Sequence, residues 1–140
     1  MRAVVQRVLN ANVKVNGDTV GKIGKGLLVF LGIGEDDDNK DLEYMVEKIL
    51  GLRIFEDTNS KMNLSLLDVE GEILVISQFT LYGDVRKGKR PSFSSSARPE
   101  MAESMYNKFI AMCKERGIKA EEGIVGADMK VELINDGPVT

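Results

Sequence analysis

Histidine is missing from this sequence, and cysteine occurs once, as Cys113. Without histidine there is no Ser-His-Asp triad and no Cys-His pair, and with one cysteine there is no ordinary zinc site. A single cysteine also rules out an internal disulfide and fits a reducing cytoplasm. No apolar run approaches the ~20 residues needed to span a bilayer. The first residues alternate polar and apolar where a signal peptide would carry an unbroken apolar block. The expectation is a cytoplasmic protein with no membrane partner, no metal and no cofactor. An enzyme so equipped works with hydroxyls, amides, carboxylates, backbone dipoles or a group supplied by its substrate.

What is present is ordinary in bulk. Hydrophobic residues make up 43% and charged residues 29% of the 140 positions, with a net charge of -3. That length fits one domain over residues 1–140, with a real core and no room for a second. The slight negative charge gives no global attraction to nucleic acid, so any such contact needs a local basic patch.

Along the chain, Arg2 to Val8 reads as a strand, and Val13-Lys14-Val15 and Thr19-Val20-Gly21 flank Asn16-Gly17, a strong hairpin signal. Gly26 to Ile33 is a continuous apolar run and reads as a central strand. The acidic run Glu35 to Asp38 leads into a helix over Lys40–Leu52, with Leu42, Met45, Val46, Ile49 and Leu50 at helical spacing. Ile54-Phe55 reads as a short strand, and Met62 to Asp68 is open between a helical turn and a loop. A second helix, from Glu100 to Arg116, places Ala102, Met105, Tyr106, Phe109, Ile110 and Cys113 on its apolar stripe, with Pro99 in its first turn. The serines at 92 and 94–96 are candidate caps for it. Met129 to Ile134 alternates as a half-buried strand and runs into Asn135-Asp136-Gly137-Pro138-Val139-Thr140.

Two stretches carry the chemistry. Ile73-Leu74-Val75-Ile76 reads as a buried strand that delivers Ser77-Gln78-Phe79-Thr80 at its end, just before Gly83. Buried polar groups cost free energy unless paired, so such residues either cap the turn or have a task. Arg86, Lys87, Lys89 and Arg90 put four cations in five residues around Gly88, a basic loop suited to phosphates and equally common as solvated surface.

Ser77-Gln78-Phe79-Thr80-Leu81 together with Asn135-x-Gly137-Pro138-x-Thr140 resembles the paired signature of the D-aminoacyl-tRNA deacylases, the D-tyrosyl-tRNA deacylase family. The Met1 to Val8 opening, Arg90-Pro91-Ser92-Phe93 and Gly126-Ala127-Asp128-Met129 resemble it as well. The resemblance implies an α/β fold of mixed α+β character: a three-layer sandwich of mixed and antiparallel sheets with two main helices, dimerising through the sheets. It implies a homodimer with its active site at the interface, where the Gly137-Pro138 motif of one subunit enters the pocket around Ser77-Gln78-Phe79-Thr80 of the other. It further implies a cis Gly137-Pro138 bond whose carbonyls filter chirality, held by Arg7. Ser77, Gln78, Phe79, Thr80 and Met129 are expected to receive the 3′ end of the aminoacyl-tRNA. Family members continue past this motif with another apolar segment, whereas this sequence stops at Thr140, so a short dispensable tail or a cut chain is expected.

The implied reaction is hydrolysis of the ester between a D-amino acid and the terminal ribose, a proofreading step that also admits glycine. Backbone N–H groups of Phe79 and Thr80, the Gln78 amide and the Ser77 or Thr80 hydroxyl are the candidate oxyanion donors. With no visible base to activate Thr80 as a nucleophile, catalysis assisted by the ribose 2′-OH is the favoured route. The alternatives are a non-catalytic RNA-binding module using the 86–90 loop with Phe79 or Phe93, or a hydrolase of free D-amino acid derivatives.

Overall fold

The computed structural model describes residues 1–140. Its chain order is β1 (Arg2–Val15), β2 (Asp18–Ile23), β3 (Gly26–Gly32), α1 (Asn39–Gly51), β4 (Phe55–Glu56), β5 (Met62–Leu64), β6 (Glu72–Ser77), a 3-10 turn (Phe79–Tyr82), α2 (Pro99–Glu115), β7 (Lys119–Glu122) and β8 (Met129–Asn135). The two stretches expected to be separate strands at 2–8 and 13–15 are one 14-residue strand. Leu9 to Asn12 stays extended because β8 pairs along it from Val8 to Val15, with a register shift between Val8 and Asn10.

The hairpin forms where Asn16-Gly17 demands it. Val15 pairs with Asp18, and Asn16 (φ 51°) and Gly17 (φ 82°) both take the left-handed conformation of a two-residue turn. The acidic run before α1 acts locally. Asp38 accepts from the Lys40 and Asp41 amides at 2.9 and 3.1 Å, and Asp41 accepts from the Asp38 amide at 3.0 Å, completing a capping box. The serines before α2 do not cap it: the N-cap is Arg98, without a side-chain bond, and Pro99 begins the first turn. Ser96 instead donates to the Phe93 carbonyl at 2.7 Å. The open segment after Lys61 resolves into strand β5, paired with β4, followed by a turn. The short strand β7 carries almost no periodic signal in Lys119-Ala120-Glu121-Glu122 and exists because it extends β6 in parallel.

The main sheet is mixed: β2 and β3 pair in one continuous register along one edge of β1, β8 pairs along the other, and β6 and β7 follow β3. Its central strands are buried on both faces. Leu27, Val29, Leu31, Ile73 and Val75 pack with Leu42, Val46, Ile49, Leu50, Phe109, Ile110 and Cys113 of the helices. The alternate residues Leu28, Leu74 and Ile76 enter a second cluster with Val8, Ala11, Val13 and Ile23. The sheet curls over itself, so the chain stacks as helices, central strands and a folded-back layer of β2, β8 and the end of β1. Each fully buried Leu or Ile here contributes roughly 1.5–3 kcal/mol. Burial pushes the Cys113 thiol up to about 12, which leaves it a core residue. No helix is long and apolar enough to cross a membrane.

The curl leaves no room at Gly21, where a Cβ would lie 2.6 Å from the Glu122 carbonyl oxygen. Gly17 has open space around it and is constrained only by its φ of 82°. In urea titrations Gly21→Ala is expected to cost about 1–3 kcal/mol by overpacking, and Gly17→Ala about 1 kcal/mol through backbone strain. A cost well below 1 kcal/mol at Gly21 would show that the two layers have slack.

Candidate active site

β6 ends at Ser77, paired with Leu31 of β3, and the chain then leaves the sheet. The Gln78 amide donates to the Leu31 carbonyl at 2.8 Å, which closes the sheet and starts the 3-10 turn. The first two N–H groups of that turn, on Phe79 and Thr80, have no acceptor in the chain, as expected of a helical N-terminus. Beside them opens a cavity of about 580 Å³. Ile76, Ser77, Gln78 and Phe79 form one wall, and Val125 to Met129 with Val131 form the other. Ser96, Ala97, Pro99 and Ala102, leading into α2, complete it.

Both walls are tied to the same side chain. The Tyr106 hydroxyl of α2 donates to the Val75 carbonyl at 2.6 Å and accepts from the Gly123 amide at 3.3 Å. Desolvation raises its pKa well above the ordinary phenol value, so it stays protonated as this link. At the mouth, Phe79 is half exposed and meets Phe93 edge to face, with centroids 5.2 Å apart. Ser77 has no hydrogen-bond partner for its hydroxyl within the chain, whereas the Thr80 hydroxyl accepts from the Gln78 side-chain amide. No carboxylate or other base reaches Thr80.

The Gly137-Pro138 corner lies elsewhere. It follows β8, whose first residue Met129 lines the cavity and whose last, Asn135, stands at the far end. The bond between Gly137 and Pro138 is cis. Arg7, only 5% exposed, fixes this segment to β1. Its Nε donates to the Asp136 carbonyl at 2.9 Å and its Nη1 to the Ile54 carbonyl at 2.7 Å. In the main chain, the Arg7 amide donates to Val139 at 3.1 Å and its carbonyl accepts from Asp136 at 2.8 Å. The Asp136 carboxylate, 3.6 Å from Nε, balances the buried charge.

Asn135 closes the same loop from inside. Its Oδ1 accepts from the Val139 amide at 2.8 Å, and its Nδ2 donates to the Val139 carbonyl and the Thr140 hydroxyl, each at 3.1 Å. Asn135 stood in the sequence motif without a role of its own. The signal for it was an Asn two residues before the Gly-Pro turn, where its side chain can satisfy the backbone.

Within one chain the two motifs do not meet. Ser77 pairs with Leu31 and Arg7 with Leu27, a stagger of four residues across two strand spacings. That puts the Arg7 and Ser77 backbones ~16 Å apart at 3.3 Å per residue and 4.8 Å per strand. The Gly137 corner sits beyond Arg7, on the opposite edge of β1. The cavity therefore gathers Ser77, Gln78, Phe79 and Met129, while Thr80 stands just outside its lining, and Arg7, Gly137 and Pro138 form a separate cluster. Arg86, Lys87 and Arg90 border a smaller hollow with Asp84 and Ser92, and Lys89 is exposed beside it. The wall from Val125 to Asp128, and the Ser96–Ala102 approach, were not singled out as site residues. Their only advance trace was the Gly126-Ala127-Asp128-Met129 stretch.

The comparisons with known proteins run the length of the chain. The family model for D-Tyr-tRNA(Tyr) deacylase matches residues 4–140. The D-aminoacyl-tRNA deacylase of Thermosipho africanus is 61% identical over 140 residues, covering 100% of this chain and 94% of that protein. The D-aminoacyl-tRNA deacylase of Clostridioides difficile is 59% identical with the same coverage, 100% and 94%. Among solved structures, one named c-Myc DNA Unwinding Element Binding Protein superposes with a TM-score of 0.93 at 45% identity, covering 99% of this chain and 95% of that one. A probable eukaryotic D-amino acid tRNA deacylase superposes with a TM-score of 0.83 over 97% and 94%, and at 19% identity that likeness is of fold alone.

Replacing Arg7 with Met keeps the volume and strands the Ile54 and Asp136 carbonyls. A loss of about 1–3 kcal/mol in urea unfolding is expected. A neutral result would mean that water reaches these carbonyls and that Arg7 does not hold the corner.

Proposed function

The chain belongs to the D-Tyr-tRNA(Tyr) deacylase family and is an ester hydrolase acting on D-aminoacyl-tRNA, and from that premise we propose where and how it works. Residues 1–140 act as one catalytic domain in the cytoplasm. The terminal adenosine and the ester enter the cavity beside Ser77, Gln78, Phe79 and Met129. The ester carbonyl sits against the N–H groups of Phe79 and Thr80. These groups are already oriented and unpaired, so they stabilise the developing oxyanion without reorganising. The observation that supports this reading is that pair of free donors at a strand tip, beside a cavity with no histidine and no base at Thr80.

Water is then activated through the substrate. The ribose 2′-OH adjoins the ester, so it can orient or deprotonate the attacking water where the protein supplies no base. The hydroxyl of Thr80, already accepting a bond from Gln78, serves to set that amide rather than to attack. After the tetrahedral intermediate collapses, the 3′ oxygen leaves and takes a proton, releasing the free amino acid and the tRNA.

Chirality is read by a second copy of the chain. The protein works as a homodimer in which Gly137-Pro138 of one subunit enters the cavity of the other. Two features support this: the ~16 Å or more that separates the motifs within one chain, and the way Arg7 and Asn135 hold the corner at an edge of the fold. Main-chain carbonyls there grip the substrate's α-ammonium. One configuration then sends the side chain to solvent and the other drives it into backbone. Such a filter ignores side-chain identity, so many D-amino acids, and glycine, pass. The basic loop that carries Arg86, Lys87, Lys89 and Arg90 faces the tRNA backbone.

Purified protein incubated with D- and L-tyrosyl-tRNA is expected to release ester only from the D form, and loss of both or neither refutes the filter. Thr80→Val should lower turnover by less than about tenfold, whereas a tRNA ending in 2′-deoxyadenosine should lose about 10²–10⁴ in rate. The reverse pattern would make Thr80 the nucleophile. Mixing the inactive variants Phe79→Ala and Gly137→Ala should restore about a quarter of the sites through heterodimers. No recovery would place both motifs of a working site in one chain.

A further inference from the structure

The basic loop next to the cavity holds an internal arrangement that its sequence does not disclose. Its base is closed: the Asp84 amide donates to the Ser92 carbonyl at 2.8 Å, and the Ser92 amide returns a bond to the Asp84 carbonyl at 3.0 Å. Gly88, at φ 79°, lets the chain turn back between them. One residue past this bridge, Phe93 packs against Phe79, so the loop stands at the mouth of the cavity.

The four cations are not equivalent. Arg86 folds back onto Asp84, with Nε 3.0 and 3.1 Å from the two carboxylate oxygens and Nη2 2.7 Å from Oδ2. The Arg86 amide also donates to Asp84 Oδ1 at 3.0 Å. Lys87, Lys89 and Arg90 form no ion pair in the chain. The side-chain hydrogen bond from Arg86 holds the Asp84 carboxyl down at about 2, so it is ionised at any pH where the protein works.

We propose that Asp84 is an internal competitor for phosphate: it occupies the guanidinium fork of Arg86 and leaves Lys87, Lys89 and Arg90 as the cations that meet the RNA backbone in the resting state. This rests on the tRNA-ester reading of the neighbouring cavity. Asp84 takes the Nε–Nη2 edge of Arg86, so a phosphate is left the end-on edge alone, beside a carboxylate that neutralises the guanidinium and repels it. The pair is solvent-exposed on the Arg86 side, at 89%, and an exposed pair is weak enough for a well-placed phosphate to displace. The competitor lowers affinity for any polyanion that touches the loop.

The test is anisotropy titration of a labelled, uncharged acceptor-stem minihelix with a single-stranded CCA end, using the full chain across a range of KCl concentrations. Asp84→Asn is expected to tighten binding about three- to tenfold and to steepen the slope of log K against log [KCl] by about 0.7, the increment for one more phosphate contact on a single strand. Asp84→Ala should do the same, and it removes the acceptor that Asn retains. The loop base survives both, because its bridge is main chain. Lys87→Gln should weaken binding and flatten the slope by about 0.7, and Arg86→Gln should weaken it clearly less. Adding Arg86→Gln to Asp84→Asn should cancel the gain. Arg86→Gln as costly as Lys87→Gln, with Asp84→Asn neutral or weaker, would overturn the proposal and make Asp84 a guide for Arg86. Loop variants that all bind as the wild type does, with D-tyrosyl-tRNA still hydrolysed, would refute the loop alone. Absence of hydrolysis by the wild type would refute the site reading, while the slopes would still judge the competitor.

Discussion

A strand covered on both faces can carry polar chemistry only at its end, and β6 is such a strand. Ile73 and Val75 face the helices and Leu74 and Ile76 face the folded-back layer, so none of them can be exchanged for a hydroxyl without leaving it unpaired in the core. At Ser77 the register with β3 runs out and the Gln78 amide takes the last sheet acceptor. The next two N–H groups are then free because a helical turn begins and has nothing behind it. The donors at the cavity are a consequence of where the sheet stops. The Tyr106 hydroxyl, bonded to Val75 and Gly123, fixes the distance between the two walls from the helix layer.

The same economy governs the other end of β8. A Gly-Pro corner at a sheet edge has little to hold it in place, and Arg7 supplies that from the neighbouring strand. Its guanidinium is buried with two carbonyls and the Asp136 carboxylate around it, an arrangement that tolerates neither removal of the charge nor a shorter cation with one donor point. Asn135 satisfies the amide and carbonyl of Val139 from within the loop. The corner is thus held in one shape by its own chain. The stagger of the sheet keeps it away from the cavity of its own chain.

Much of the fold could be read from the residues. Asn16-Gly17 gave the hairpin because both positions need positive φ, and the stripes of α1 and α2 repeat at the helical period. The Ser-Gln-Phe-Thr and Gly-Pro motifs resembled a family that hydrolyses esters on an RNA end, the absent histidine and lone cysteine only excluded other chemistries, and the family match agrees with the resemblance. Less legible were β7, which has no pattern of its own, and β5, which exists only against β4. The serines before α2 resembled caps because capping chemistry and turn chemistry use the same side chains.

What the sequence determined by itself is chemistry of short range: which turns can form, which helix faces are apolar, and which catalytic groups are unavailable. These follow from backbone sterics, periodicity and composition, which act within a few residues. Only the tertiary structure decided that Arg7 lies against Asp136, that the 125–131 stretch closes the cavity opposite Ser77, and that Asp84 claims Arg86. The first two are long-range pairings set by strand register. The third is a choice among charged partners that proximity in sequence leaves open. Each depends on where the folded chain puts a group, and residue type alone does not carry that.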